Sequence, residues 1–283
     1  MKLRFGEQNE ELQSPCVVGI LPLDPSEALD VTRLKEKAAE IEEYGAAFIE
    51  VGMRQPCASE VEQVLLPEAV GAVFEATNCH IAVHTSSPQL MQEAVSRGAS
   101  LIIDPKALRA EGALAMAASL KVPVCLCFNG SISSEDFGRG KADPASVVSE
   151  FLYERIDACL NAGIPRSQLL IDPTPDVEDG IEHRLTAMGR LHTFKSFALP
   201  LCVAIPRELP HEDLAVSAHP GVYIAASLFA VDAGVSLIRT QYVEETILAL
   251  ETHLACTRSA RPFRLSRAIV KAIKNRRQLK GSK

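Results

Sequence analysis

Ten side chains able to do chemistry stand at or just beyond the ends of short apolar runs: Asp24, Glu50, Arg54, His84, Asp104, Cys127, Asn129, Asp172, Arg207 and Arg239. Acids and a histidine can exchange protons or accept hydrogen bonds from an amino-bearing heterocycle, and three arginines can hold an anion. The stretch LLIDPTPD at 169–176 shows the pattern most clearly, with a buried run driven into Asp172 at a rigid turn. Asp104 and Asp172 each precede a proline, so each could equally be an Asx-turn residue that only caps its own loop. Arg239 closes an apolar run, where a buried guanidinium needs a ligand anion or a rim carboxylate as partner.

What must position these residues is a set of eight apolar runs, at 17–21, 47–51, 80–85, 101–104, 123–128, 169–172, 200–205 and 235–240. None alternates with polar residues, so each reads as a strand covered on both faces. Helical periodicity fills the gaps. In VTRLKEKAAEIEEYG, Leu34, Ala38 and Ile41 mark one face and Gly45 ends the helix. Eight strands alternating with eight helices predict one α/β domain, a (β/α)8 barrel over 16–255 within a single domain of 1–283. The chemistry-bearing residues would then ring the C-terminal rim. A doubly wound dinucleotide fold would want GxGxxG after the first strand, and the chain offers GILPLDPSE. The loop at 129–143 is long enough for a lid, and 256–283 reads as a basic helical extension around Leu265, Ile269, Ala272 and Ile273.

The formal charge of −7 argues against nucleic acid as a partner. No uninterrupted apolar stretch reaches membrane-spanning length, and the N-terminus has no signal-type apolar segment, so a cytoplasmic protein without a membrane partner is expected. The eight cysteines lie mostly in or beside apolar runs and read as small core residues. On a strand, Cys125 and Cys127 share one face and Leu126 takes the other. No second CxxC or histidine pair accompanies them at zinc-ligand spacing.

In the order of these motifs the chain resembles the dihydropteroate synthase family, whose barrel joins a pterin diphosphate to para-aminobenzoate. VVGIL, GAAFIEVG, HIAVHTSSPQLMQEAVSRGASLIID, DPASVVSEFLYERIDACLNAGIPRSQLLIDP, PLCVAIPRE and GVYIAASLFAVDAGVSLIRT carry the resemblance, from about 16 to 255. It implies a folate-pathway transferase fold, a pterin or other heterocyclic or anionic ligand, Mg²⁺ held through Asp24, and a homodimer. It also implies substrate contacts at Asp172, Arg239, Arg207, Arg54, His84, Asp104 and Glu208. Several family positions are exchanged: Pro22 stands for an asparagine, His84 for the pterin-binding aspartate, Ile103 for an asparagine, Glu208 for a lysine and Gln241 for a histidine. The expectation is a family barrel whose pterin pocket is largely substituted, so that condensation is lost or altered. The alternatives are a divergent active synthase, and a pterin-dependent methyl transferase or metal-assisted hydrolase using Glu50, His84, Asp104 and Asp172.

Overall fold

The computed structural model describes residues 1–12, 15–54, 57–129, 144–174, 187–205 and 220–257. Eight parallel strands form one sheet: β3 Cys16–Leu23, β4 Phe48–Met53, β5 His80–His84, β6 Ala99–Asp104, β7 Val124–Cys127, β8 Leu169–Asp172, β9 Cys202–Ala204 and β10 Leu237–Thr240. Sequential neighbours pair from β3 to β8, β10 lies between β3 and β9, and a parallel bridge from Ile171 to Leu201 joins the two ends. The circle therefore closes, and every predicted strand is present within two or three residues of its expected bounds.

Closure sorts the side chains by the two-residue period of a strand. One face points into the lumen, where Val18, Phe48, Ala82, Leu101, Ile103, Leu170 and Leu237 pack with Cys16, Cys125, Cys127 and Cys202. The other face carries Val17, Ile49, Val51, Val83, Ile102, Leu126, Ile171 and Ile238 against the helices. Cys125 and Cys127 share the lumen while Leu126 faces outward, as the alternation predicts. Burial holds two of these thiols protonated: that of Cys16 is pushed up to about 12 and that of Cys125 well above its ordinary value. Such thiols are inert packing groups.

The described helices are α1 Val31–Tyr44, α2 Ser59–Ala76, α3 Pro88–Ser96, α4 Ala113–Leu120, α5 Pro144–Asn161, α6 Pro220–Asp232 and α7 Val243–Thr257. The Asp30 carboxylate accepts from the Arg33 amide to start α1, Leu34, Ala38 and Ile41 are its buried stripe, and Gly45 ends it at φ 101°. Between β8 and β9 the described residues hold a 3₁₀ segment, Leu191–Phe197. None of the described helices is long and apolar enough to cross a membrane. Of the lid candidate at 129–143 all but Asn129, and of the basic extension at 256–283 all but its first two residues, lie outside the described residues.

One element was not anticipated. A hairpin of β1 Lys2–Phe5 and β2 Gln8–Glu11 covers the N-terminal end of the barrel, with Leu3 fully buried in the lumen cluster. Phe5 stacks on His80 with ring centroids 4.7 Å apart, and the Gly6 amide donates to the Lys121 carbonyl at 2.9 Å. The hairpin plugs the end of the barrel opposite the rim.

Candidate functional site at the barrel mouth

Three charged residues that end or interrupt apolar strands meet at the floor of that mouth. Arg239 of β10 donates from Nε to Glu50 Oε2 and from Nη2 to Glu50 Oε1, both at 2.7 Å, and from Nη1 to Asp172 Oδ2 at 3.1 Å. Glu50 belongs to β4 and Asp172 to β8. The three residues are only 3–6% exposed. The Glu50 pair has the parallel two-bond geometry that favours arginine over lysine. Burial alone would raise the Glu50 carboxyl, but the Arg239 charge and its two hydrogen bonds overcome this and hold it below the usual glutamate range. One guanidinium thus faces two carboxyl groups.

Above this trio lies a cavity of about 270 Å³, walled by Ile20, Pro22, Met53, Pro105, Phe128 and Ala204, with Cys127 and Thr174 at the floor and His84 and Arg54 toward the opening. Thr174 donates its amide and hydroxyl to Asp172 Oδ1, at 3.0 and 2.5 Å. Asp172 is thus both the Asx-turn residue that its Asp-Pro context allows and a polar group of the cavity. His84 ends β5 opposite Gly52. A Cβ at Gly52 would stand 2.7 Å from the His84 Cβ and 3.2 Å from its carbonyl oxygen, so glycine is required there for the imidazole to reach the cavity.

The remaining expected site residues separate into three groups. Asp104 does not line the cavity, because its carboxylate holds its own loop: it accepts from Ser86 Oγ at 2.5 Å, the Lys106 amide at 2.7 Å and the Leu108 amide at 2.9 Å. Burial nevertheless pushes its carboxyl up. Asp24 lies in a neighbouring cleft of about 210 Å³ beside α1; its Oδ1 accepts from the Ser26 amide and hydroxyl, and its Oδ2 is 3.7 Å from Arg54 Nη1. Those Ser26 hydrogen bonds hold its carboxyl below its ordinary value. Arg54, with a half-exposed side chain, lines both the cleft and the cavity. Arg207 and Glu208 lie outside the described residues. Among the described residues no three His, Cys, Asp or Glu side chains converge where they could hold a metal ion. A single carboxylate already committed to Ser26 and facing an arginine is a poor seat for Mg²⁺.

Glu50, Cys127 and Thr174 complete the floor. The sequence signal for Glu50 was a lone acid inside FIEVG, matched by a lone base inside LIRT. Only the register around the barrel pairs them.

A closed (β/α)8 barrel with a polar cavity at its C-terminal mouth is the class of protein that this geometry defines. Residues 23–241 match the family described as pterin binding enzyme, and the chain belongs to that family. It is 30% identical over 274 residues to the dihydropteroate synthase of Escherichia coli K12, covering 88% of this chain and 94% of that protein. The Haemophilus influenzae dihydropteroate synthase is 27% identical over 267 residues, covering 87% and 95%. Among solved structures, dihydropteroate synthase from Xanthomonas albilineans in complex with 7,8-dihydropteroate superposes with a TM-score of 0.80 at 27% identity, covering 93% of this chain and all of that one. Yersinia pestis dihydropteroate synthase with a pterin-sulfa conjugate gives 0.79 at 26% identity, covering 92% and 100%. The chain is a dihydropteroate-synthase-like barrel of the folate-pathway family.

Proposed function

We infer that the cavity at the barrel mouth binds a pterin-type aminoheterocycle and that condensation of a pterin diphosphate with 4-aminobenzoate is lost or altered. The observation that carries this reading is the position of Asp172: a buried carboxylate on the cavity floor, able to accept from the amino edge of a heterocycle. Around it the recognition groups are rearranged. Ile103 is fully buried in the lumen and offers no hydrogen bond. His84 presents an imidazole on the side where the resemblance implies a carboxylate. Each buried polar edge of a ligand left without a partner costs about 1 to 3 kcal/mol, so a ligand matched to the family's full set of contacts loses affinity here by roughly ten- to a hundred-fold per lost contact.

Arg54 and Asp172 favour the second reading, a divergent active synthase, because a cation at the mouth and an acid at the floor could still hold the two ends of an anionic heterocycle. The hydrolase reading has less support, since Asp104 is committed to its own loop and Glu50 to Arg239.

Calorimetric titration with 6-hydroxymethylpterin tests the site itself. We expect saturable binding to the wild type and at least a thirtyfold weaker affinity in Asp172→Asn, which keeps the shape but replaces an acceptor. Equal affinities in the two proteins would remove Asp172 from recognition, and no heat with either would remove the pterin reading.

A further inference from the structure

Resting on that reading, we propose that the cavity selects for the charge of its ligand: it takes a neutral or cationic, donor-rich heterocyclic head and gives no affinity to a diphosphate or other polyanion attached to it. The floor has one buried guanidinium, and three of its five N–H groups are already directed at carboxylates: two at Glu50 and one at Asp172. Two acidic side chains thus crowd one guanidinium, at 2.7 Å and 3.1 Å.

Among the described residues, the other charged or titratable groups near the floor do not reverse this balance. The His84 imidazole on β5 is close enough to Glu50 and Asp104 to act on both, so it is itself flanked by acids. Arg54 stands at the opening with a half-exposed side chain and faces Asp24 at 3.7 Å. Beyond β10 the next side chain but one after Arg239 is the uncharged, exposed Gln241. A polyanion brought to Arg239 therefore meets at most two N–H groups and must approach beside two carboxyl groups, in a site where solvent screens little. An amino or amidine edge instead meets Glu50 Oε1, Glu50 Oε2 and Asp172 Oδ2, each of which accepts one bond from Arg239 and retains a lone pair, while Asp172 Oδ1 is filled by Thr174. In a barrel that joins pterin to an amine by expelling diphosphate, losing the anion anchor separates head-group binding from turnover.

The test compares 6-hydroxymethylpterin, its diphosphate and inorganic pyrophosphate by calorimetry on the wild type and on Glu50→Gln, whose side chain is isosteric but uncharged. Cooperative melting of the variant is checked first. We expect the two pterins to bind the wild type within threefold of one another, pyrophosphate to give no heat at millimolar concentration, and Glu50→Gln to move the ratio at least tenfold toward the diphosphate. A wild type that binds the diphosphate tenfold or more tightly than the alcohol overturns the inference and leaves the pterin reading standing. An unchanged ratio in a folded Glu50→Gln overturns it as well. If the variant does not fold, the wild-type ratio alone decides. If neither pterin binds, the pterin reading fails, and benzamidine against pyrophosphate as thermal-shift probes decides the charge preference: stabilisation by benzamidine alone supports it, and stabilisation by pyrophosphate refutes it.

Discussion

Replacing Arg239 with leucine is expected to destabilise the protein by about 3 to 5 kcal/mol, because it leaves Glu50 and Asp172 buried without their cation. In a chain of this size each kcal/mol moves the melting temperature by roughly 2 to 4 °C, so a drop on the order of 10 °C should appear in a thermal melt. Two further measurements separate charge from lost packing. Exchanging all three residues together for apolar ones of similar volume should recover most of the loss, since a buried ion cluster is often no more stabilising than well-packed hydrocarbon. The pH dependence should change as well. The native Glu50 carboxyl is held below the usual range, so its contribution is complete above the unfolded glutamate value of about 4.3 and is lost as pH falls through the depressed native value. Without Arg239 burial outweighs the remaining pull of His84 on Glu50, its carboxyl rises, and the gap between variant and wild type should narrow on acidification. Urea midpoints at neutral and acidic pH check this, and an unchanged gap would show that the pair is not the source of the loss.

Asp104→Ala is expected to cost about 2 to 4 kcal/mol by a different route, through unsatisfied donors and backbone strain. The carboxylate holds the Lys106 and Leu108 amides and the Ser86 hydroxyl, and the loop it pins runs through Ala107 at φ 49° and Leu108 at φ 60°. Neither residue favours the left-handed region. Arg155 clamps the same turn from α5, donating from Nε to the Ala107 carbonyl at 2.9 Å and from Nη2 to the Leu108 carbonyl at 3.3 Å. Because Pro105 of this loop walls the cavity, the loss should also weaken ligand binding. Hydrogen exchange locates the effect: the Leu108 amide should exchange much faster in the variant while amides of β3 and β4 keep their protection relative to global stability. Uniform acceleration across the barrel would contradict a local pin.

These two aspartate-proline positions show how far the sequence could be read. Asp104 and Asp172 have the same local signature, a buried run, an aspartate and a proline, and both do form Asx turns. What separates them is the neighbour across the barrel. Asp172 faces Arg239, 67 residues away in sequence, while Asp104 accepts its hydrogen bonds from its own loop and Ser86. The eight strands were legible because a sheet covered on both faces leaves short unbroken apolar runs, and these recur between longer helical stretches and stop at turn or charged residues. The N-terminal hairpin was not legible, since all four residues of β2 are exposed and only Leu3 of β1 is fully buried. No period of apolar residues announces such an element. The Glu50–Arg239 pair was half legible: each charge was visible inside an apolar strand, but a separation of 189 residues is bridged only by barrel closure, which places β4 two strands from β10 with β3 between.

Asp172 lies at the pocket floor, and the cation beside it, Arg239, is held by the protein's own carboxylates. The most direct measurement is turnover: purified protein incubated with 6-hydroxymethyl-dihydropterin diphosphate, 4-aminobenzoate and Mg²⁺, with dihydropteroate followed by mass spectrometry. We predict no product above the protein-free blank. Steady formation of dihydropteroate, abolished by Asp172→Asn, would show that Arg239 still serves the diphosphate and would contradict the account.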